Sequence, residues 1–99
     1  MELITRTYPR KGGIIHGYQL KWELSWLFLL ESTKGTITCG SFDIAVFGSP
    51  AAKAVPEPGK PAYTLDDFVQ RRITHVNKEG EPFGIKPGMT TLEAAEKLL

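Results

Sequence analysis

The sequence is poor in the residues that mark several common protein classes. It has a single cysteine and therefore no internal disulfide, which is typical of a reducing compartment. Lys and Arg number 12 against 11 Asp and Glu, and the net charge of +1 indicates no basic surface for a nucleic-acid backbone. No apolar run reaches the roughly 20 residues of a membrane span, and the start MELITRTYPR lacks a signal-peptide core. These absences predict a soluble cytoplasmic protein without nucleic-acid or membrane partners.

What is present is the composition of one globular domain. The chain has 99 residues, of which 41 % are hydrophobic and 23 % charged, and this predicts a single domain spanning 1–99. A chain of this length buries only roughly 60–70 % of its unfolded surface, so oligomerisation would be a natural way to bury more.

The first forty residues carry a β pattern. Every even position from Tyr18 to Leu30 is apolar, and this period of two predicts that all these side chains lie on one face of an extended chain. Because this stretch is long for one strand, a bend or tight turn is expected near Glu23–Ser25. LITRTYP before it and TITC after it complete a predicted antiparallel meander of three or four strands.

Short helices are predicted in the second half. Ser41 is placed to cap a short helix, and Thr64 with Asp67 forms the spacing of a capping box, as does Thr90 with Glu93. The segment 48–62 is rich in proline, which predicts a loop that stays out of the central sheet ladder. It could be a lid, a contact strip or only a connector. The predicted class is α+β, an antiparallel sheet packed with two or three short helices.

Two stretches form a recognisable combination. GTITCG, followed by an aspartate and an alanine, occupies residues 35–45; TLDDF at 64–68 precedes FGIKPGMTTLEAAEKL at 83–98. In this order they resemble the YunC-like family of small prokaryotic proteins, a domain of unknown function. The positions that match are Cys39, Gly40, Asp43, Thr64, Asp67, Gly84, Gly88, Met89, Thr90 and Glu93.

The resemblance implies a small α+β fold with an antiparallel sheet and a homo-oligomer, and it implies no known activity. This chain departs from the family pattern in Pro61-Ala62-Tyr63 before the TLDD helix and in the ELSW stretch at 23–26. The additional Trp22 and Trp26 indicate an apolar surface that could be a subunit contact.

Cys39 has two possible roles. Ile37 lies two residues before it on the same strand face, which favours a core thiol that acts as a small hydrophobe. Alternatively, Gly40 and Ser41 could begin a helix whose N–H groups activate the thiolate and contact a ligand. Asp43 could then orient a ligand or act as a base, although its charge would oppose thiolate formation. His75 could reach Cys39 only through tertiary packing.

A metal site is not expected. Cys39, His16 and His75 could supply ligands, but none of them has the close spacing of known zinc motifs. We therefore predict no cofactor and no metal. The leading hypothesis is a homo-oligomeric domain with a binding or accessory role, and its partner could be a small-molecule ligand. The alternative is an enzyme or sensor with Cys39 as its reactive thiol.

Overall fold

Six β-strands and two α-helices form the fold, seen in a computed structural model that describes residues 1–99. In chain order the elements are β1 (Glu2–Arg10), β2 (Gly13–Trp22), β3 (Ser25–Glu31), β4 (Thr36–Cys39), β5 (Ala51–Ala54), α1 (Leu65–Phe68), β6 (His75–Val76) and α2 (Thr91–Lys97). Short 3₁₀ turns occupy Ile44–Val46 and Glu81–Phe83. Neither helix has the length and apolar character needed to cross a lipid bilayer.

All six strands belong to one sheet, in which neighbours along the chain are also neighbours in space. Every adjacent pair is antiparallel except β4 and β5, which run parallel. The α+β class is confirmed, and β1 to β4 form an antiparallel meander. The sheet nevertheless has six strands rather than three or four, because β5 and β6 extend it.

The register of the β2–β3 hairpin overturns the prediction that the even residues share one face. Trp22 pairs with Ser25 across a tight turn at 23–24, so the predicted break in this stretch is present. This pairing sets even positions of β2 opposite odd positions of β3, as in the pair Leu20 and Leu27. Paired residues project to the same side of a sheet. The even apolar residues of β2 therefore lie on one face, and those of β3 lie on the other.

The segment 48–62 does enter the sheet, contrary to prediction. Ala51–Ala54 forms β5 and pairs with β4 on one side and β6 on the other. The prolines flank this strand and do not interrupt it. Each residue of β5 therefore has the backbone N–H needed for hydrogen bonds to the neighbouring strands. The small alanine side chains give little β propensity, but Ala51, Ala52 and Ala54 are fully buried in this strand between β4 and β6.

The hydrophobic core lies on one side of the sheet, which we call the inner face and define by Ile15, Phe28 and Ile37. The helices α1 and α2 cover this face. Phe28 stacks on Phe68 of α1 with ring centres 5.0 Å apart. From α2 and its C-terminal end, the buried residues are Ala94, Ala95 and Leu98. The opposite side of the sheet is called the outer face.

Both predicted capping boxes are present. The Thr64 hydroxyl accepts from the Asp67 N–H at 3.2 Å, and the Thr90 hydroxyl accepts from the Glu93 N–H at 3.1 Å. In each case the acid accepts a hydrogen bond from the cap residue's own N–H. These contacts satisfy backbone donors that an α-helix leaves free at its N-terminus, and so they define where both helices begin.

Candidate functional site

A cavity of about 390 Å³ opens where β3 extends beyond the end of β4. The last β3–β4 pair joins Leu29 to Thr38, so Ser25–Phe28 has no strand beside it on that edge. The cavity occupies this gap, and its volume lies in the ~300–1,000 Å³ range of ligand pockets. The lining residues are Trp22, Leu24, Ser25, Trp26, Leu27, Phe28, Cys39, Gly40, Ser41, Ala54, Pro56, Pro61, Ala62, Phe68 and Arg71.

Long-range hydrogen bonds hold the loop after β5 against the cavity. The Trp26 indole N–H donates to the Ala62 carbonyl at 2.7 Å, and the Gln19 side-chain amide donates to the Tyr63 carbonyl at 3.0 Å. The Tyr63 ring also packs on the Trp26 ring, with centres 5.6 Å apart. The proline-rich loop therefore forms one wall of the cavity in a fixed position.

Helix α1 forms the floor and part of the rim. Its buried Phe68 lines the cavity, and Arg71 follows just beyond the last turn. Asp67, on the outer side of α1, accepts from the Tyr63 N–H at 3.1 Å. That hydrogen bond, supported by those from Thr64, lowers the pKa of Asp67 below its ordinary value. Asp67 therefore caps the helix in its ionised, carboxylate form.

Cys39 lines the cavity but is not at the start of a helix. The residue is buried, with 8 % of its surface exposed, and it faces the inner side of the sheet with Ile37. Gly40 and Ser41 also line the cavity, in a turn rather than in a helix. A side-chain carbon at Gly40 would lie 3.2 Å from Cα of Val55, so glycine allows the close approach of the next strand's end.

Asp43, not Ser41, is the cap residue in this region. Its carboxylate accepts from the Ala45 N–H at 3.1 Å and begins the 3₁₀ turn Ile44–Val46. The predicted helix capped by Ser41 is therefore wrong. A single 3₁₀ turn places no aligned helix N–H groups at the Cys39 thiol, so the activation expected from a helix N-terminus has no basis here.

The structure does not bring His75 to Cys39. Cys39 pairs with Ala54, whereas His75 pairs with Lys53, the preceding residue of β5. Successive residues of a strand point to opposite faces, so His75 lies on the face away from the thiol. Its Nδ1 instead contacts the Thr74 hydroxyl at 2.8 Å. No cluster of three His, Cys, Asp or Glu side chains is arranged to hold a metal ion.

Sequence reasoning missed the residues that form most of the cavity. Trp26, Phe68 and Arg71 come from separate elements, and only the β2–β3 register and the Trp26–Ala62 hydrogen bond bring them together. It also missed Asn77, whose buried amide joins four backbone groups near β5. The signals available were the predicted contacts at Cys39, Gly40 and Ser41, which do line the cavity, and the apolar character of Trp22 and Trp26, which predicted a subunit contact.

These features define a small α+β domain whose mixed six-stranded sheet carries a largely apolar cavity at one edge. The chain belongs to the family described as a domain of unknown function, DUF1805, whose model matches residues 38–98. This confirms the predicted membership of an uncharacterised family of small domains. The match includes both capping boxes and Gly84 and Gly88, whose φ angles of 83° and 99° favour glycine. No curated protein matches the sequence.

The fold is similar to that of a protein of unknown function, TA1206 from Thermoplasma acidophilum, known from a crystal structure. The TM-score is 0.81, and the superposition covers 99 % of this chain and 94 % of that chain at 19 % identity. At this identity the likeness shows a shared fold alone. It extends over β1 to β3, which lie outside the family match.

Proposed function

We propose that this protein is a binding domain that takes a small, largely apolar ligand in the cavity beside β3, with an accessory rather than a catalytic role. The observation that carries the proposal is the cavity itself, whose walls are mainly aromatic and aliphatic and are held by long-range hydrogen bonds. Small-molecule sites are typically concave, apolar and largely formed before the ligand arrives. The single cysteine fits a reducing compartment, so we place this role in the cytoplasm.

The geometry supports binding more than thiol chemistry. A nucleophilic cysteine is typically activated by a base within hydrogen-bond reach. His75 lies on the other face of the sheet, and Asp43 is hydrogen-bonded as a cap. In this proposal Cys39 contributes apolar surface to the cavity, and Gly40 and Ser41 contact the ligand.

Calorimetric titration with a neutral aromatic probe, 2-naphthalenemethanol, tests this proposal. Saturable binding is expected, because an apolar ring gains free energy by leaving water for an aromatic wall. Ser41→Trp places a large ring at the cavity rim and should weaken binding by about tenfold or more. Ser49→Trp is the matched control, since Ser49 is also exposed but does not line the cavity.

Cys39→Ser should retain binding, since the contact required of this residue is packing and not a reaction. Absence of saturable heat in the wild-type protein would contradict the proposal. So would equal losses in Ser41→Trp and Ser49→Trp, because the cavity would then not be the site. Loss of binding in Cys39→Ser, with Ser49→Trp unaffected, would contradict the interchangeable packing role given to this residue.

We further propose that the protein self-associates through the outer face of β1 to β3. Leu3, Leu20 and Leu27 are in register across these strands and form an apolar row that no helix covers. Leu3 is 60 % exposed, and Ile14 on the same face is 51 % exposed. A second copy of the chain can cover such a patch with the same patch of its own surface. Leu27 also lines the cavity, so a neighbouring copy would border the ligand.

Light scattering should therefore give a solution mass of at least twice the 11.0 kDa of one chain. Leu3→Lys places a charge in the apolar row and should lower that mass. Gln70→Lys adds the same charge at an exposed position beside α1, away from the outer face, and should leave the mass unchanged. A monomeric wild-type protein at micromolar concentration would rule out the assembly.

A further inference from the structure

One lining residue of the cavity is charged. Arg71 is the only ionisable side chain among the lining residues apart from the Cys39 thiol. It also lines a second, polar groove of about 470 Å³ that adjoins the cavity through Pro61 and Ala62. The guanidinium thus lies on the boundary between an apolar cavity and a wetter groove.

The position of Arg71 is fixed by backbone contacts. Its Nη2 donates to the Lys60 carbonyl at 2.9 Å, and its own carbonyl accepts from the Thr91 N–H at 2.8 Å. One terminal nitrogen is therefore held by the loop that closes the cavity, while the guanidinium retains further N–H donors. An arginine held in this way is prepared for a planar acceptor such as a carboxylate.

Nearby acids do not neutralise this charge by direct pairing. Glu57 pairs with Lys60 at 3.5 Å, and Asp67 accepts from the backbone N–H groups at the start of α1. Arg71 itself forms no salt bridge. Asp67 and Glu57 also line the polar groove, but neither acid forms an ion pair with the guanidinium. The hydrogen bond from the Tyr63 N–H and, to a smaller extent, the charge of Arg71 lower the pKa of Asp67. A half-buried cation without a direct ion-pair partner attracts an anion more strongly than a fully solvated one does.

We infer that the ligand of the cavity is an amphipathic anion, with a flat apolar body between the aromatic walls and one carboxylate on the Arg71 guanidinium. This inference rests on the proposed function, because it concerns the same cavity. It adds the ligand's charge and the residue that selects it. Trp26 and Phe68 contact the body, while the anionic end lies on Arg71 at the mouth of the cavity, next to solvent.

A matched pair of probes separates this inference from the proposed function. 2-Naphthoate and 2-naphthalenemethanol share one ring system and differ in charge at neutral pH. In the wild-type protein, naphthoate is expected to bind about tenfold or more tightly than the alcohol, from a charge-assisted hydrogen bond to arginine. Arg71→Gln should remove that preference and leave the affinity for the alcohol unchanged.

Arg72→Gln is the control, because Arg72 is adjacent and equally charged but lines only the polar groove and not the cavity, and it donates to the Gly88 carbonyl at 2.8 Å. This variant should retain the wild-type preference for naphthoate. If Arg71→Gln loses both probes, Arg71→Lys decides, since it retains the charge and should still favour naphthoate over the alcohol.

The outcomes are distinct. If neither probe binds the wild-type protein, the proposed function fails. If both bind equally, the function stands and the inference is overturned. The inference is also overturned if Arg72→Gln abolishes the preference as Arg71→Gln does, because a general surface charge would then explain the result. It is likewise overturned if Arg71→Lys shows no preference, because a cation at position 71 would then not select the anion.

Discussion

Replacing Asn77 with aspartate is expected to destabilise the fold by about 3–5 kcal/mol, although the two side chains have nearly the same shape. Asn77 is buried and makes four hydrogen bonds to backbone groups. Its Oδ1 accepts from the N–H groups of Ala51 and Gly80 at 3.0 and 2.8 Å. Its Nδ2 donates to the carbonyls of Ile44 and Ser49 at 3.1 and 2.8 Å.

The aspartate would keep the two acceptor contacts and lose both donor contacts. A carboxylate oxygen would then face two carbonyl oxygens in a buried site. The penalty therefore combines two unsatisfied acceptors with the burial of an unpaired charge. Unfolding in urea, followed by tryptophan emission, would show the loss as a lower midpoint at an unchanged slope.

Gln70→Glu makes the same amide-to-acid change at an exposed position and should alter the free energy of unfolding by no more than about 0.5 kcal/mol. If Asn77→Asp proved as stable as Gln70→Glu, the four hydrogen bonds would not hold β5 in the way described. The chain contains one asparagine, so no second asparagine offers a comparison, and the exposed glutamine serves as the reference position.

The two capping boxes could be predicted because they depend on short distances along the chain. Thr64 with Asp67, and Thr90 with Glu93, satisfy each other's backbone groups whatever the tertiary structure does. The sequence also indicated the break between β2 and β3. These successes all concern interactions within a few residues.

The choice of sheet face could not be predicted, because it depends on the length of the turn after Trp22. Removing or adding one residue there would exchange the inner and outer faces for the whole of β3. A period of two gives the alternation within a strand and says nothing of how the alternation continues after a turn. The apolar row of Leu3, Leu20 and Leu27 was missed for this reason.

Gly40 and Ser41 were predicted as ligand contacts and line the cavity, but the rest of its wall and β5 were missed because they depend on long-range contacts. Trp26 reaches Ala62, and Asn77 reaches Ile44 and Ser49, across more than twenty residues of chain in each case. Proline content suggested a loop over 48–62, but the prolines lie outside Ala51–Ala54. The proline content of the segment 48–62 cannot show that the four residues Ala51–Ala54 within it form a strand of the sheet.

Replacing Gly35 with alanine is expected to destabilise the fold by about 3 kcal/mol, because a methyl group there would overlap the Pro50 carbonyl oxygen and lie 3.0 Å from Cδ1 of Leu98. The backbone cannot simply move aside. The same Pro50 carbonyl accepts from the Thr36 N–H at 3.1 Å, and the Lys34 N–H donates to the Leu98 carbonyl at 2.8 Å. Relief of the clash must break one of these contacts.

The contact that breaks should be the one that begins the parallel pairing of β4 with β5, and this gives the variant a second, local readout. Cys39 ends β4, so loosening of the pair should make its thiol react faster with a disulfide reagent under native conditions. Gly12→Ala is the control, since its added carbon would meet Cβ of Leu99 at an ordinary 3.5 Å. Equal stability and equal thiol reactivity in the two variants would show that β4 does not depend on the close approach of Gly35 to Pro50, and the position of Cys39 in the cavity wall would need another cause.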